Sequence, residues 1–183
     1  MAIRPIIHAD NPRLREKSKK VRIFGESLQG LVNDMLETMH EANGLGLAAP
    51  QVDAHERVVV IKLPEDEEDR HSGKTYVLVN PEIARQEGEE EGDEGCLSVP
   101  GWYGEVNRAT SVTVKAQDAK GKPYRLKAHD LLARALQHEI DHLDGVLFID
   151  RVDSPEKLHR VERKAEGEEG VAQGEREHAF IQG

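Results

Sequence analysis

Apolar residues at Leu28, Leu31, Val32, Met35, Leu36 and Met39 recur every three or four positions, the period of one helix face. Ser27 precedes this run as a side-chain cap and Gly44 follows it as a stop, so the pattern predicts an amphipathic helix between them. Residues 57–63 (RVVVIKL) and 75–81 (TYVLVNP) are β-rich runs separated by an acidic loop. In residues 109–118 Val112 and Val114 fall on one face, the turn AKGK follows, and residues 123–129 (PYRLKAH) return, which predicts a hairpin. Asp130 then caps a second helix, with Leu131, Leu132, Ala135 and Leu136 as its apolar face, reaching about His142. Residues 145–150 (GVLFID) read as a short apolar strand or turn, and Ser154-Pro155 as the start of a last helix to about Lys164. Residues 9–21 are polar and Pro-containing and read as an irregular arm. Strands that follow one another, with a few helices and no βαβ alternation, predict an α+β fold of antiparallel strands.

Chain length and composition add bounds. The 183 residues suit one domain, placed at 1–165, with a Glu- and Gly-rich tail at 166–183 that reads as loosely ordered. A single cysteine forms no internal disulfide, consistent with a reducing compartment. No apolar stretch suits a signal peptide or a membrane span, so the expectation is a cytoplasmic protein that neither enters nor crosses a membrane. A net charge of −10 argues against binding DNA, because phosphate attraction needs a basic surface. The acid clusters at 65–69, at 87–94 and in the tail, and each cluster reads as a solvated loop or face.

The stretch QHEIDHLDG changes the picture. His138 and His142 are four apart on a predicted helix, so they face the same way, about 6 Å apart along the axis. Both imidazoles can reach one metal ion. Glu139 sits about 100° further round, where it can contact a water on the metal rather than the metal itself. Two of the chain's other histidines also precede a glutamate, His40 and His55, and neither completes the spacing.

Two histidines leave a catalytic metal one protein ligand short. The lone cysteine, Cys96 in EGCLSVPG, is the natural third, because its thiolate is soft and binds late first-row metals strongly. Gly95 allows close backbone approach, and Pro100 and Gly101 make the turn that follows. The loop GLGLAAPQ, residues 44–51, offers the Gln51 side-chain N–H, and its glycines let an extended peptide lie against backbone.

Together GLGLAAPQ, EGCLS and QHEIDH resemble, in that order, the three motifs of peptide deformylases, and the similarity runs from about Ala2 to about Lys164. The resemblance implies antiparallel strands packed around a central helix that carries HExxH. It implies hydrolytic removal of the N-formyl group from the N-terminal formyl-methionine of newly made polypeptides, with release of formate. It also implies one divalent metal, Fe²⁺ as the native ion, with Zn²⁺, Ni²⁺ or Co²⁺ able to take its place. Carried over by position, Cys96, His138 and His142 are the ligands and Glu139 is the general base and acid for the attacking water. Gln51 and the Leu97 backbone N–H hold the oxyanion. Leu45, Gly46 and Gly95 border the peptide, Leu131 and Ala135 lie near the methionine pocket, and Glu94 pairs with Arg108 behind the ligands. The expected partners are N-formylmethionyl nascent peptides, with a transient ribosome contact, for a chain that acts as a monomer. Tyr103, where several relatives have arginine, and Arg134, where some have an apolar residue, depart from the pattern and bear on peptide preference.

HExxH alone also fits a zinc endopeptidase, and two histidines with a cysteine also fit a closed structural or sensing site. The carboxylate beside the first ligand favours an open, catalytic site, since a closed one has no use for it.

Overall fold

The computed structural model describes residues 2–65, 71–161 and 181–182. In chain order its elements are α1 (Glu26–Glu41), β1 (Gly46–Ala48), β2 (Val58–Lys62), β3 (Thr75–Glu87), β4 (Glu90–Gly95) and β5 (Trp102–Arg108). Then come β6 (Ser111–Gln117), β7 (Pro123–His129), α2 (Asp130–Leu143), β8 (Leu158–Arg160) and β9 (Ile181–Gln182). The strands form a five-stranded sheet in the order β1-β2-β3-β6-β7 and a smaller sheet in the order β8-β5-β4-β9. All pairings are antiparallel except β4 with β9. The α+β architecture follows the expectation.

The large sheet lies between the two helices, and β2 records this directly. Val59 and Ile61 pack with Leu132, Ala135 and Leu136 of α2. Val58 and Val60, the alternate residues, pack with Leu28, Leu31, Val32, Met35 and Met39 of α1. A strand covered on both faces needs apolar residues at every position, which is why VVVI is unbroken. Each such side chain withdrawn from water contributes about 1.5–3 kcal/mol. Helix α2 is buried on all sides from Ala135 to Leu143. It packs on the large sheet and also reaches the small one, so its polar residues face protein.

Several local expectations are corrected. Helix α1 starts one residue before Ser27, with extended Gly25 at the cap position and no side-chain cap. It ends at Glu41, where Asn43 takes the left-handed conformation expected of Gly44 (φ 54°). Asp130 is the first residue of α2 and not its cap, because β7 runs directly into the helix and leaves no loop to host one. The acidic run at 87–94 is not a loop throughout: it turns at Gly88 (φ 70°) and becomes β4, hydrogen-bonded to β5. Residues 148–150 form a single 3-10 turn. Ser154 caps only another such turn, Pro155–Lys157, after which the chain enters β8 rather than a helix. The boundary between the domain and the tail lies outside the described residues; of the tail, β9 alone is described, paired with Glu94 and Gly95.

Candidate metal centre

Two elements supply the centre. Helix α2 presents His138 and His142 on one face, and the turn after β4 presents Cys96. All three are buried, and their donor atoms lie within 4.8 Å of one another. Cys96 Sγ is 3.3 Å from His142 Nε2. His138 directs Nδ1 to Glu94 Oε2 at 2.9 Å, which leaves its Nε2 buried with no hydrogen-bond partner among the described residues. An imidazole held by a carboxylate at one nitrogen and bare at the other is the usual state of a metal ligand. Two imidazoles and a thiolate, converging with a bare buried nitrogen, fit a late first-row dication.

Glu139 is fully buried, and neither carboxylate oxygen has a hydrogen-bond partner among the described residues. Burial pushes its pKa up to about 7. It lies against β1: a Cβ placed on Gly46 would stand 2.4 Å from Glu139 Oε1. Burial alone would lower the His138 pKa, but the adjacent Cys96 sulfur and the Glu94 carboxylate hold it well above the usual value. His142 has less compensation, and burial pushes it well below.

Glu94 is buried, yet its pKa is held below the usual carboxylate range. Burial opposes this, and hydrogen bonds from Arg108 and His138 outweigh it. The Arg108 guanidinium donates to both Glu94 oxygens, Nε at 2.8 Å and Nη2 at 2.9 Å, and its Nη1 reaches Asp141 at 2.6 Å. Asp141 in turn accepts two bonds from Arg151. The predicted pairing of Glu94 with Arg108 is therefore present, inside a larger network.

On the other side, Gln51 Nε2 lies 3.6 Å from Cys96 Sγ and 3.2 Å from Ser98 Oγ, and its Oε1 accepts from Ala48 N at 2.8 Å. The N-terminal arm ties both loops down, Ile7 N to Gln51 O and Ala9 N to Ser98 O. Ala135 is buried in the α2 core with Leu131 packed against that core, one to two turns before His138. Leu97 packs at the edge of the α1 core, and Leu45 joins β1 to β2 by accepting from Lys62 N. Tyr103 sits opposite Gly95 on β5 and stacks on His159 with ring centroids 5.0 Å apart.

Three contributors carry no role assigned from the sequence: Ser98, Asp141 and Phe148 lie inside the stretches EGCLS, QHEIDH and GVLFID, but only the fold shows their partners. Phe148 stacks on His138, centroids 6.2 Å apart. Arg134, which departs from the family pattern, reaches Glu94 Oε1 with its guanidinium at 3.2 Å.

The chain matches the family described as Polypeptide deformylase over residues 3–158. It is 46% identical to a peptide deformylase of Thermomicrobium roseum, across 95% of this chain and 99% of the relative. It is 52% identical to one of Caldicellulosiruptor bescii, across 83% and 87%. Among solved structures, a peptide deformylase from Legionella pneumophila is 51% identical, covering 85% of this chain and 89% of its own, with a TM-score of 0.78. One from Ehrlichia chaffeensis in complex with actinonin is 38% identical, covering 86% and 92%, with a TM-score of 0.80.

Proposed function

The chain belongs to the polypeptide deformylase family, enzymes that remove the N-formyl group from new polypeptides in a metal-dependent reaction, and on that premise we propose which of its residues carry each step. Cys96, His138 and His142 would hold the ion. The observation that carries this reading is the convergence of their donor atoms within 4.8 Å beside a buried carboxylate with no hydrogen-bond partner among the described residues. When bound, a divalent ion polarises the formyl oxygen and lowers the pKa of water at the site.

Glu139 takes the proton of the attacking water and passes it to the leaving amine. A pKa pushed up to about 7 suits a group that must both accept and release a proton near neutrality. As the formyl oxygen gains charge, Gln51 Nε2 and the Leu97 backbone N–H donate to it. The peptide lies between Gly46 on β1, with Leu45 just before it, and Gly95 on β4, and Leu131 and Ala135 line the methionine pocket. The pairing of β9 with Glu94 and Gly95 supports this, because that edge of β4 accepts an extended chain.

We propose Fe²⁺ as the native ion on the resemblance of the motifs; the donor set also suits Zn²⁺, Ni²⁺ and Co²⁺. The protein acts as a monomer in the cytoplasm, where nascent chains emerge, with at most a transient ribosome contact. No helix among the described residues is long and apolar enough to cross a membrane. The exposed large apolar side chains among them are Ile3, Ile23, Trp102 and Val161.

The test is formate release from formyl-Met-Ala-Ser by protein purified without oxygen, with metal analysis of the same sample. Acetyl-Met-Ala-Ser and internal peptide bonds should be cleaved far more slowly. Equal cleavage of internal bonds would favour an endopeptidase and remove this reading.

A further inference from the structure

Three ligands from two separate elements raise a mechanical question: what keeps α2 and the end of β4 at one spacing? Arg134 lies one helical turn before His138 on α2. Its guanidinium reaches four acceptors on the small sheet. Nη1 donates to Val106 O at 2.8 Å, Gly92 O at 3.3 Å and Glu94 Oε1 at 3.2 Å, and Nη2 donates to Glu90 O at 2.7 Å. The side chain is 12% exposed. Gly92 leaves the space for it, since a Cβ there would stand 2.9 Å from Arg134 Nη2.

We propose that Arg134 is a positioning residue for the metal centre, a brace rooted in α2 that sets the distance between Cys96 at the end of β4 and the two histidines on the helix. It acts through two routes. It grips the carbonyls of β4 and β5, the strand pair that leads to Cys96, and it shares Glu94 with His138. Arg108 holds Glu94 from β5; Arg134 is the arginine that holds it from the helix carrying the histidines. The task needs a planar fork with several donors rather than a point charge. Partners of this kind, one step removed from a metal, typically change affinity by about 10–100-fold when removed.

The proposal rests on the metal-centre reading, and its test separates the two. The probe is Co²⁺ added to the metal-free full chain, with affinity measured by chelator competition and Cys96 ligation read from the thiolate-to-cobalt absorption band. Arg134→Gln is expected to bind Co²⁺ about tenfold more weakly, with a shifted band. Arg134→Lys keeps the charge without the fork and should recover only part of the loss. Gly92→Val is the second variant. It leaves the arginine in place and displaces its guanidinium, and β-branched residues suit a strand. It should reproduce the weakened binding. Combined with Glu94→Gln, the Arg134→Gln effect should be less than additive, because part of it passes through Glu94. If both Arg134→Gln and Gly92→Val keep wild-type affinity and spectrum, even with a lowered Tm, the residue only ties the fold and the proposal is overturned. A wild-type chain that shows no thiolate band would remove the metal centre itself, and this inference with it.

Discussion

Gly46 and Glu139 meet so closely that only a glycine leaves room: a Cβ on residue 46 would stand 2.4 Å from Glu139 Oε1 and 2.8 Å from its carboxyl carbon. The residue predicted to border the peptide also seats the Glu139 carboxylate. Gly46→Ala should push Glu139 aside while leaving the three ligands untouched. Displacement of a reacting group by about 1 Å costs about 10²-fold. A fall of that order in kcat with unchanged metal content is expected; an unchanged kcat would show that Glu139 relaxes without cost.

Glu139→Gln removes the proposed proton acceptor and keeps the volume. General acid–base catalysis contributes about 10²–10⁴-fold, so kcat should fall by that factor while metal stoichiometry stays at the wild-type value. The substitution also removes a buried carboxylate that has no hydrogen-bond partner among the described residues, so the Tm should hold or rise. Formate release at the wild-type rate would contradict the assignment.

Gln51 has two duties, since its Oε1 accepts from Ala48 N while its Nε2 faces Cys96 and Ser98. Gln51→Ala should lower kcat by about 10²–10³, the usual loss for one oxyanion donor. It should also destabilise the fold by about 1–3 kcal/mol, because the buried Ala48 N–H loses its acceptor. Kinetics and thermal melting on one preparation separate the two effects.

Arg108→Met leaves Glu94 buried with only Arg134 and His138 as donors. Breaking a buried ion pair from one side typically costs about 3–5 kcal/mol, and the remaining arginine should keep the loss near the lower bound. Chemical denaturation of the metal-free chain reads this directly.

Tyr124 offers a pH signature away from the metal. Its hydroxyl donates to Val77 O at 2.8 Å, and burial pushes its pKa up to about 12. A group that holds its proton more tightly when folded stabilises fully below its unfolded pKa of about 10, and that contribution is lost as pH rises to about 12. Absorbance titration should show a tyrosine step near pH 12, and Tyr124→Phe should abolish that step. Stability of the variant should then vary less between about pH 10 and 12.

Much of this was legible in the chain. The spacing of His138 and His142 needs only a helix, and the apolar run before them supplies one. The hairpin of β6 and β7 follows from alternation and a Gly-containing turn. Less legible was the acidic stretch before Cys96. By composition it reads as a solvated loop or face, and in the fold it is β4, because Glu94 finds Arg108 on the paired strand and Gly92 admits Arg134 from the helix.

The sequence by itself determined what depends on neighbours a few residues apart: helix period, strand alternation and the four-residue step between two ligands. Tertiary structure alone decided which distant groups share a space: Cys96 with the two imidazoles, Gly46 under Glu139, and two arginines on one buried carboxylate. The physical reason is range. Local periodicity is set by backbone geometry within one element, whereas these contacts depend on how a helix wedges between two sheets and on the register of strands far apart in the chain.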